Sequence, residues 1–254
     1  MKEKQFLEVA LEAVKKVEPL FLKNFGNTTG VSVKEGVVPS LVSDADTKIE
    51  KLLTDEILAH FPDHAVVGEE LPAHAGRTGY CWYVDPIDGT TNFTRGIPLC
   101  AISVALFDTE GPVVAVLSVP QSDTLYHAIR GGGAFKNGKK ISVSGSSSFN
   151  MLMGGMGWKG AERGAELLKK LLVITRTLRV FGSDALQLAM VSEGRLDCFV
   201  TTHTSLYDVG AGILLVSEAG GVTTDWSGKP FTKSEQPLVA SNGKIHNSLL
   251  KALS

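Results

Sequence analysis

Cysteine is scarce in this chain of 254 residues, which has only Cys81, Cys100 and Cys198. The three are odd in number, widely spaced and set in apolar sequence. They form no zinc-type pair and read as small core residues, with a reducing cytoplasm as the simplest location. Net charge is equally slight, at -2 from 25 basic and 27 acidic residues. A surface so close to neutral attracts neither a nucleic-acid polymer nor an anionic membrane. No apolar run approaches the length that spans a bilayer. Met1-Lys2-Glu3-Lys4-Gln5 carries both signs of charge ahead of an amphipathic stretch, unlike a secretory leader. What is present, 43% hydrophobic and 20% charged residues, suits a soluble globular fold with a sizeable core.

Taken in order, the chain opens with apolar residues at helical spacing from Phe6 to Leu20, a helix that Gly26 ends. Residues 31–39 read as a loop or hairpin around Lys34, a lysine whose plain reading is a solvated surface charge. Ser43 or Asp44 caps a second amphipathic helix, with Asp46 as an acid of its first turn. Residues 64–68 are a short buried strand with Glu69 and Glu70 at its carboxyl end. A strand over 80–84 then feeds Asp85-Pro86-Ile87-Asp88-Gly89-Thr90-Thr91-Asn92-Phe93. Pro86 is expected to break it into a sharp loop carrying Asp85 and Asp88, and Gly89 to open a short helix.

From Ala101 three apolar runs, 101–107, 113–119 and 124–129, predict antiparallel strands. The glycines of 131–138 lack the Gly-Lys-Ser/Thr ending of a phosphate loop, and Asn137-Gly138 marks a hairpin turn. The small polar stretch 144–150 divides a single domain into sub-lobes of roughly 1–145 and 150–254. Beyond it the spacing predicts strands over 151–156, 176–181, 196–200, 222–226 and 238–240. Helices are expected over 162–172 and 184–191, from Leu206 through Ser217, and from about Lys244. A polar loop is expected over 201–205. Helices alternating with partly antiparallel strands make this a mixed α/β (α+β) chain.

Asp46, Glu69, Glu70, Asp85, Asp88 and Asp208 all fall at strand ends or helix starts, where ligand sites of α/β folds gather. Crowded carboxylates repel unless a cation neutralises them or one takes a proton. An oxygen-only set without histidine or cysteine favours a hard divalent ion, Mg2+ before Zn2+. Gly89-Thr90-Thr91 at a helix start would offer N–H groups to an anion. Together these features describe metal-assisted hydrolysis of a phosphate ester. Each also has a plainer reading: an Asp-rich turn with Asp88 as a helix cap, a first-turn Asp46, and a solvated Glu pair.

The stretch Asp85 to Phe93 resembles the signature of the inositol monophosphatase family of Mg2+-dependent, lithium-sensitive phosphatases. Leu41-Val42-Ser43-Asp44-Ala45-Asp46 is similar to the family's L-V-T-x-x-D, Gly68-Glu69-Glu70 to its G-E-E, and the 131–138 glycines to its G-x-G-A-x-x-N-G hairpin. Tyr207-Asp208-Val209-Gly210-Ala211-Gly212 stands where the family has W-D-x-A-A-G. The motifs occur in family order along essentially the whole chain.

The resemblance implies a layered αβαβα sandwich of the inositol monophosphatase and fructose bisphosphatase type, a homodimer, and two to three Mg2+ ions per site. It further implies that Glu69, Asp85 and the Ile87 carbonyl hold one ion and that Asp85, Asp88 and Asp208 hold another. Asp46 and Thr90 would position and deprotonate the attacking water, Gly89 and Thr90 would hold the phosphate by N–H groups, and Glu70 and Lys34 would support the site. The implied substrate is a small phosphate monoester, inositol-1-phosphate first, with Asp88, Asp184 and Thr201 on its binding side.

Three departures bear on the alcohol. Thr201 stands where many inositol-phosphate enzymes have Glu, Tyr207 replaces Trp, and Asp184 follows Gly182-Ser183 where a small residue is common. His203 and Thr204 line the alcohol side or belong to an exposed loop. Alternatives therefore stay open: a phosphatase for fructose bisphosphate, histidinol phosphate or a nucleotide 3′-phosphate. A regulatory protein that binds metal and phosphate without catalysis is disfavoured, because the acids and Thr90 are all present.

Overall fold

The computed structural model describes residues 2–34, 40–231 and 236–253, with the side chains of Lys34, Ser40 and Phe149 outside the description. Helix α1 (Lys2–Asn24) turns Phe6, Val9, Ala10, Ala13, Val14, Val17 and Phe21 inward, the single apolar face that its sequence spacing dictates. A small hairpin of β1 (Ser32–Lys34) and β2 (Ser40–Val42) leads into α2 (Asp44–His60), which buries Ile49, Leu53 and Ile57.

A seven-stranded sheet follows, in the order β3 (Ala65–Gly68), β4 (Cys81–Asp88), β5 (Ala101–Asp108), β6 (Gly111–Val119), β7 (Thr124–Ile129), β8 (Gly133–Lys136) and β9 (Lys139–Lys140). Only β3 and β4 pair in parallel; the other neighbours are antiparallel. The short helix α3 (Thr90–Thr94) leaves the end of β4. Strand β5 is apolar almost throughout because both of its faces are covered. Ile102, Val104 and Leu106 pack with α1 and α2, whereas Ala101, Ala105 and Phe107 face the opposite layer.

The second half holds α4 (Ala161–Ile174), α5 (Asp184–Ser192), α6 (Leu206–Glu218) and α7 (His246–Leu253). It also forms a five-stranded sheet from β10 (Met153–Gly157), β11 (Thr177–Arg179), β12 (Cys198–Thr204), β13 (Val222–Thr224) and β14 (Gln236–Ser241), in the order β11-β10-β12-β14-β13. Helices α5 and α6 fill the space between the sheets: Leu188, Val209 and Leu215 share one core with Ala105 and Leu117 on one side and Phe199 and Leu238 on the other. Helices α4 and α7 cover the far face through Leu167, Leu171 and Leu249 against Val200 and Val239. The layering is therefore α, β, α, β, α, each sheet being buried on both sides.

Residues 141–148 join the two sheets without helix or strand, yet α6 from the second half packs on strands of the first. Two expectations need correction. Strand β4 does not stop at Pro86 but runs on to Asp88, and β12 extends through Thr204, so 201–204 is not a loop. Among the described residues no helix is long and apolar enough to cross a membrane.

Candidate active site

The centre of the site is the end of β4. Its ladder with β5 pairs Asp85 with Ser103 and Asp88 with Ala101, so one extra residue is accommodated on β4 between them. Proline, which has no N–H for the ladder, is tolerated at such a bulge. The bulge bends the backbone so that Ile87 N–H donates to Asp85 Oδ1 at 2.9 Å. Gly89 then turns the chain at φ +91°, where a Cβ would lie 3.0 Å from the carbonyl oxygens of both Gly182 and Leu99. Only glycine fits that conformation and that space.

Three acids from three elements meet here. Glu69 follows β3, Asp85 lies on β4 and Asp208 lies in the first turn of α6, and each offers an oxygen within 4.8 Å of the others. Asp208 is placed by a capping box: its carboxylate accepts the Ser205 N–H at 3.0 Å, while the Ser205 side chain accepts from the helix. Asp85 is 1% exposed, and its Oδ2 has no hydrogen-bond partner among the described residues. Burial, followed by the charges of Glu69, Asp88 and Asp208, raises the Asp85 carboxyl well above the ordinary range. Asp208 is raised likewise, by burial and then by Asp88, Asp184 and Glu69.

Asp88 stands outside this triad, at the start of α5. The Ser183 hydroxyl and the Ala185 N–H (2.8 Å) donate to its Oδ2, and the Asp184 N–H approaches its Oδ1 at 3.3 Å. Those donors and the positive end of α5 favour the carboxylate, but burial outweighs them and raises Asp88 to about 6. The arrangement fits a hard divalent cation: among the described residues the clustered ligand atoms are oxygens, and one buried oxygen of Asp85 is unpartnered. In a second set of ligand-type groups, Glu12, Glu56 and His60 on α1 and α2, Glu56 is paired with Lys16, whose Nζ lies 2.5 Å from its Oε2.

Beside the triad, α2 delivers Asp46. Ser43 is the N-cap, and Asp46 Oδ2 accepts both its N–H at 2.9 Å and its hydroxyl at 2.5 Å. Asp46 Oδ1 faces the Thr90 hydroxyl at 3.1 Å, and the same hydroxyl lies 3.1 Å from the Ile87 carbonyl. Asp46 is fully buried; burial raises its carboxyl against the opposing effect of the Ser43 and Thr90 hydrogen bonds.

The match to a family model covers residues 2–254, and that model describes the inositol monophosphatase family. The chain belongs to this family. A Thermotoga maritima protein named fructose-1,6-bisphosphatase/inositol-1-monophosphatase is 33% identical over 97% of this chain and 95% of its own. Inositol monophosphatase 1 of Solanum lycopersicum is 36% identical, over 98% of this chain and 94% of its own. The crystal structure of the extragenic suppressor protein suhB from Bartonella henselae superposes with a TM-score of 0.92 at 31% identity, over 98% of both chains. As an inositol monophosphatase family member the chain is a phosphatase, a hydrolase of small phosphate esters, and the family is in general metal-dependent.

Within this family member, the other residues singled out in the sequence take the following places. Thr201 has no exposed surface, and its hydroxyl donates to the His203 carbonyl at 3.1 Å, which leaves it no free face for a polyol. His203 is half-buried on a strand rather than on an exposed loop, with Lys159 Nζ 3.4 Å from its Nε2. Asp184 is half-buried behind Gly157, where a Cβ would lie 2.7 Å from its Oδ1. Burial and the Asp88 charge raise Asp184 to about 7. The side chain of Lys34 lies outside the described residues. Sequence spacing alone does not mark Glu50 or Ser183 as residues of the site. The available signals were a carboxylate four residues after Asp46 on an otherwise apolar helix face, and a serine directly before a helix.

Proposed function

We propose that the chain hydrolyses phosphate monoesters of polyols, inositol-1-phosphate first, in a Mg2+-dependent reaction with water. The observation that carries this reading is Asp85, which has a buried oxygen without a partner among the described residues and meets Glu69 and Asp208. Glu69, Asp85, the Ile87 carbonyl, Asp88 and Asp208 would hold two to three Mg2+ ions, which supply positive charge to the phosphoryl oxygens and lower the pKa of water. Asp46, its carboxyl raised by burial, accepts the water proton while Thr90 orients the water. The water oxygen bonds to phosphorus, the phosphorus–oxygen bond to the polyol breaks, the leaving oxygen takes up a proton from solvent water, and Asp46 returns its proton to solvent. The Gly89 and Thr90 N–H groups hold the phosphate at the start of α3, and Glu70 supports the metal-bearing turn. Asp184 accepts from polyol hydroxyls; no such contact is proposed for the buried Thr201.

A second reading, broader action that includes fructose bisphosphate, is supported by the double name of the Thermotoga relative and by the threonine at position 201. Phosphate release from inositol-1-phosphate, fructose 1,6-bisphosphate, histidinol phosphate and a nucleotide 3′-phosphate, compared at equal concentration with Mg2+, decides between them. The highest kcat/KM is expected for inositol-1-phosphate, with inhibition by Li+. A higher value for another ester transfers the assignment, and no release from any of them rejects it. The proposed form is a cytoplasmic homodimer, which a light-scattering mass of one chain would reject.

A further inference from the structure

Glu50 lies one turn beyond Asp46 on the inward face of α2 and is 1% exposed. A carboxylate this deep needs strong partners. It finds them in the turn after β3: Oε2 accepts the Glu70 N–H at 2.7 Å, and Oε1 accepts the Leu71 N–H at 2.8 Å. The same carboxylate fills the space beside Gly68, where a Cβ would lie 2.1 Å from Oε1. The turn is therefore gripped on both sides of Glu69. Gly68 is held by close approach, and Glu70 and Leu71 by charge-assisted hydrogen bonds, the stronger kind. Four residues earlier on the same helix, Asp46 holds Thr90. One rigid element thus touches both the turn that carries Glu69 and the Asp46–Thr90 pair.

We propose that Glu50 is a positioning residue, which sets Glu69 in the acid triad and, through α2, fixes the triad's place relative to Asp46 and Thr90. The inference rests on the metal reading of Glu69 given above. For stability alone the choice is a poor one, since it puts a second negative charge behind Glu69. Glutamine would not replace it: one amide oxygen satisfies one N–H, and the NH2 group would face the other donor.

Calorimetric titration of Mg2+ into the metal-free full-length chain tests the role. Glu50→Gln is expected to weaken Mg2+ binding roughly tenfold or more, the usual cost of removing a partner that orients a metal ligand. Hydrogen exchange at the Glu70 and Leu71 amides should accelerate, while KM for the phosphate ester stays near the wild-type value. Glu50→Gln combined with Glu69→Gln should bind Mg2+ no more weakly than Glu69→Gln alone, because the two act as one unit. Wild-type Mg2+ affinity in a folded Glu50→Gln protein, or additive losses in the double variant, would overturn the proposal. Should Glu50→Gln fail to fold, Glu50→Asp keeps the charge and withdraws it by one methylene: lost affinity supports the role and retained affinity rejects it. Wild-type protein that takes up no Mg2+ would remove the metal reading itself, an outcome distinct from a silent Glu50 variant.

Discussion

Thr90 Oγ1 lies 3.1 Å from Asp46 Oδ1, joining the start of α3 to the start of α2 across 44 positions of sequence. Neither group is exposed enough to be a surface contact, and the Ser43 cap leaves Asp46 Oδ1 for Thr90. Thr90→Ala and Asp46→Asn are each expected to lower kcat by about 10²–10⁴, the range for positioned proton transfer, with KM little changed. Thr90→Ser, which keeps the hydroxyl, should retain most of the rate. Steady-state phosphate release from the double variant checks the pairing: losses that multiply would show two independent roles.

The buried acids of the site make stability depend on pH and cation together. Asp85, Asp88 and Asp208 have folded values raised first by burial, with Asp88 at about 6, above the ordinary carboxylate value near 3.9 of an unfolded chain. The folded metal-free protein therefore binds more protons, and these groups withdraw stability as pH rises through the raised values. Mg2+ should raise Tm more at pH 8 than at pH 5, the stabilisation free energy being about 2.7 kcal/mol at one hundred times Kd. Thermal unfolding with EDTA or Mg2+ across that range measures the difference, and an equal shift at both pH values would contradict it.

A buried histidine works in the opposite direction. Trp82 Nε1 donates to His64 Nδ1 at 3.1 Å, so that nitrogen carries no proton, and the ring is stacked between Phe61 and Tyr80. Burial, with some help from Lys2, lowers the His64 value. A depressed folded value means that this contribution is complete above about pH 6.5 and is lost as pH falls towards the folded value. His64→Gln should have a lower Tm at pH 7.5 but a smaller decline between pH 7 and 5. A decline as steep as that of the wild type would assign the acid sensitivity to other groups.

Much of this was legible in the residues, and the exceptions have physical causes. The alternation of helices and strands and the crowding of acids at element ends were carried by hydrophobic period and by cap residues, both local signals. The course of β4 was not, because Pro86 ordinarily ends a strand and only the register against β5 shows that a bulge absorbs it. Thr201 to Thr204 read as a loop by polarity, yet threonine's branched Cβ suits a pleated surface, and pairing with β10 and β14 decided the outcome. Glu50 was hidden for another reason. Its partners are backbone N–H groups about twenty residues away, and no side-chain spacing encodes them.

Ser183 links the helix cap to the site. Its hydroxyl donates to Asp88 and also accepts the Leu186 N–H at 3.2 Å as the N-cap of α5. Ser183→Ala removes both contacts. The lost cap should cost about 1 kcal/mol of stability, and Asp88, deprived of a donor, should become easier to protonate. The expected result is a Tm a few degrees lower together with a larger fractional loss of kcat/KM at pH 6 than at pH 8. A uniform loss across pH would show that Ser183 serves the helix alone.

Asp85 sets function against stability most directly. Its Oδ2 is buried without a partner among the described residues, and its neighbours Glu69 and Asp208 bear the same sign of charge. An uncompensated buried charge is costly to the fold, so Asp85→Asn should raise the Tm of the metal-free protein at pH 8. The same change removes a central ligand of the proposed metal site, and turnover should be lost while the folded circular dichroism spectrum is kept. Mg2+ should then produce little thermal shift. If Asp85→Asn retained Mg2+-dependent phosphate release, the metal assignment would fail even with the family membership intact. If it lowered Tm with EDTA present, the cost of the orphaned carboxylate would have been misjudged, because Asp85 would then be held by contacts stronger than its single bond from the Ile87 N–H.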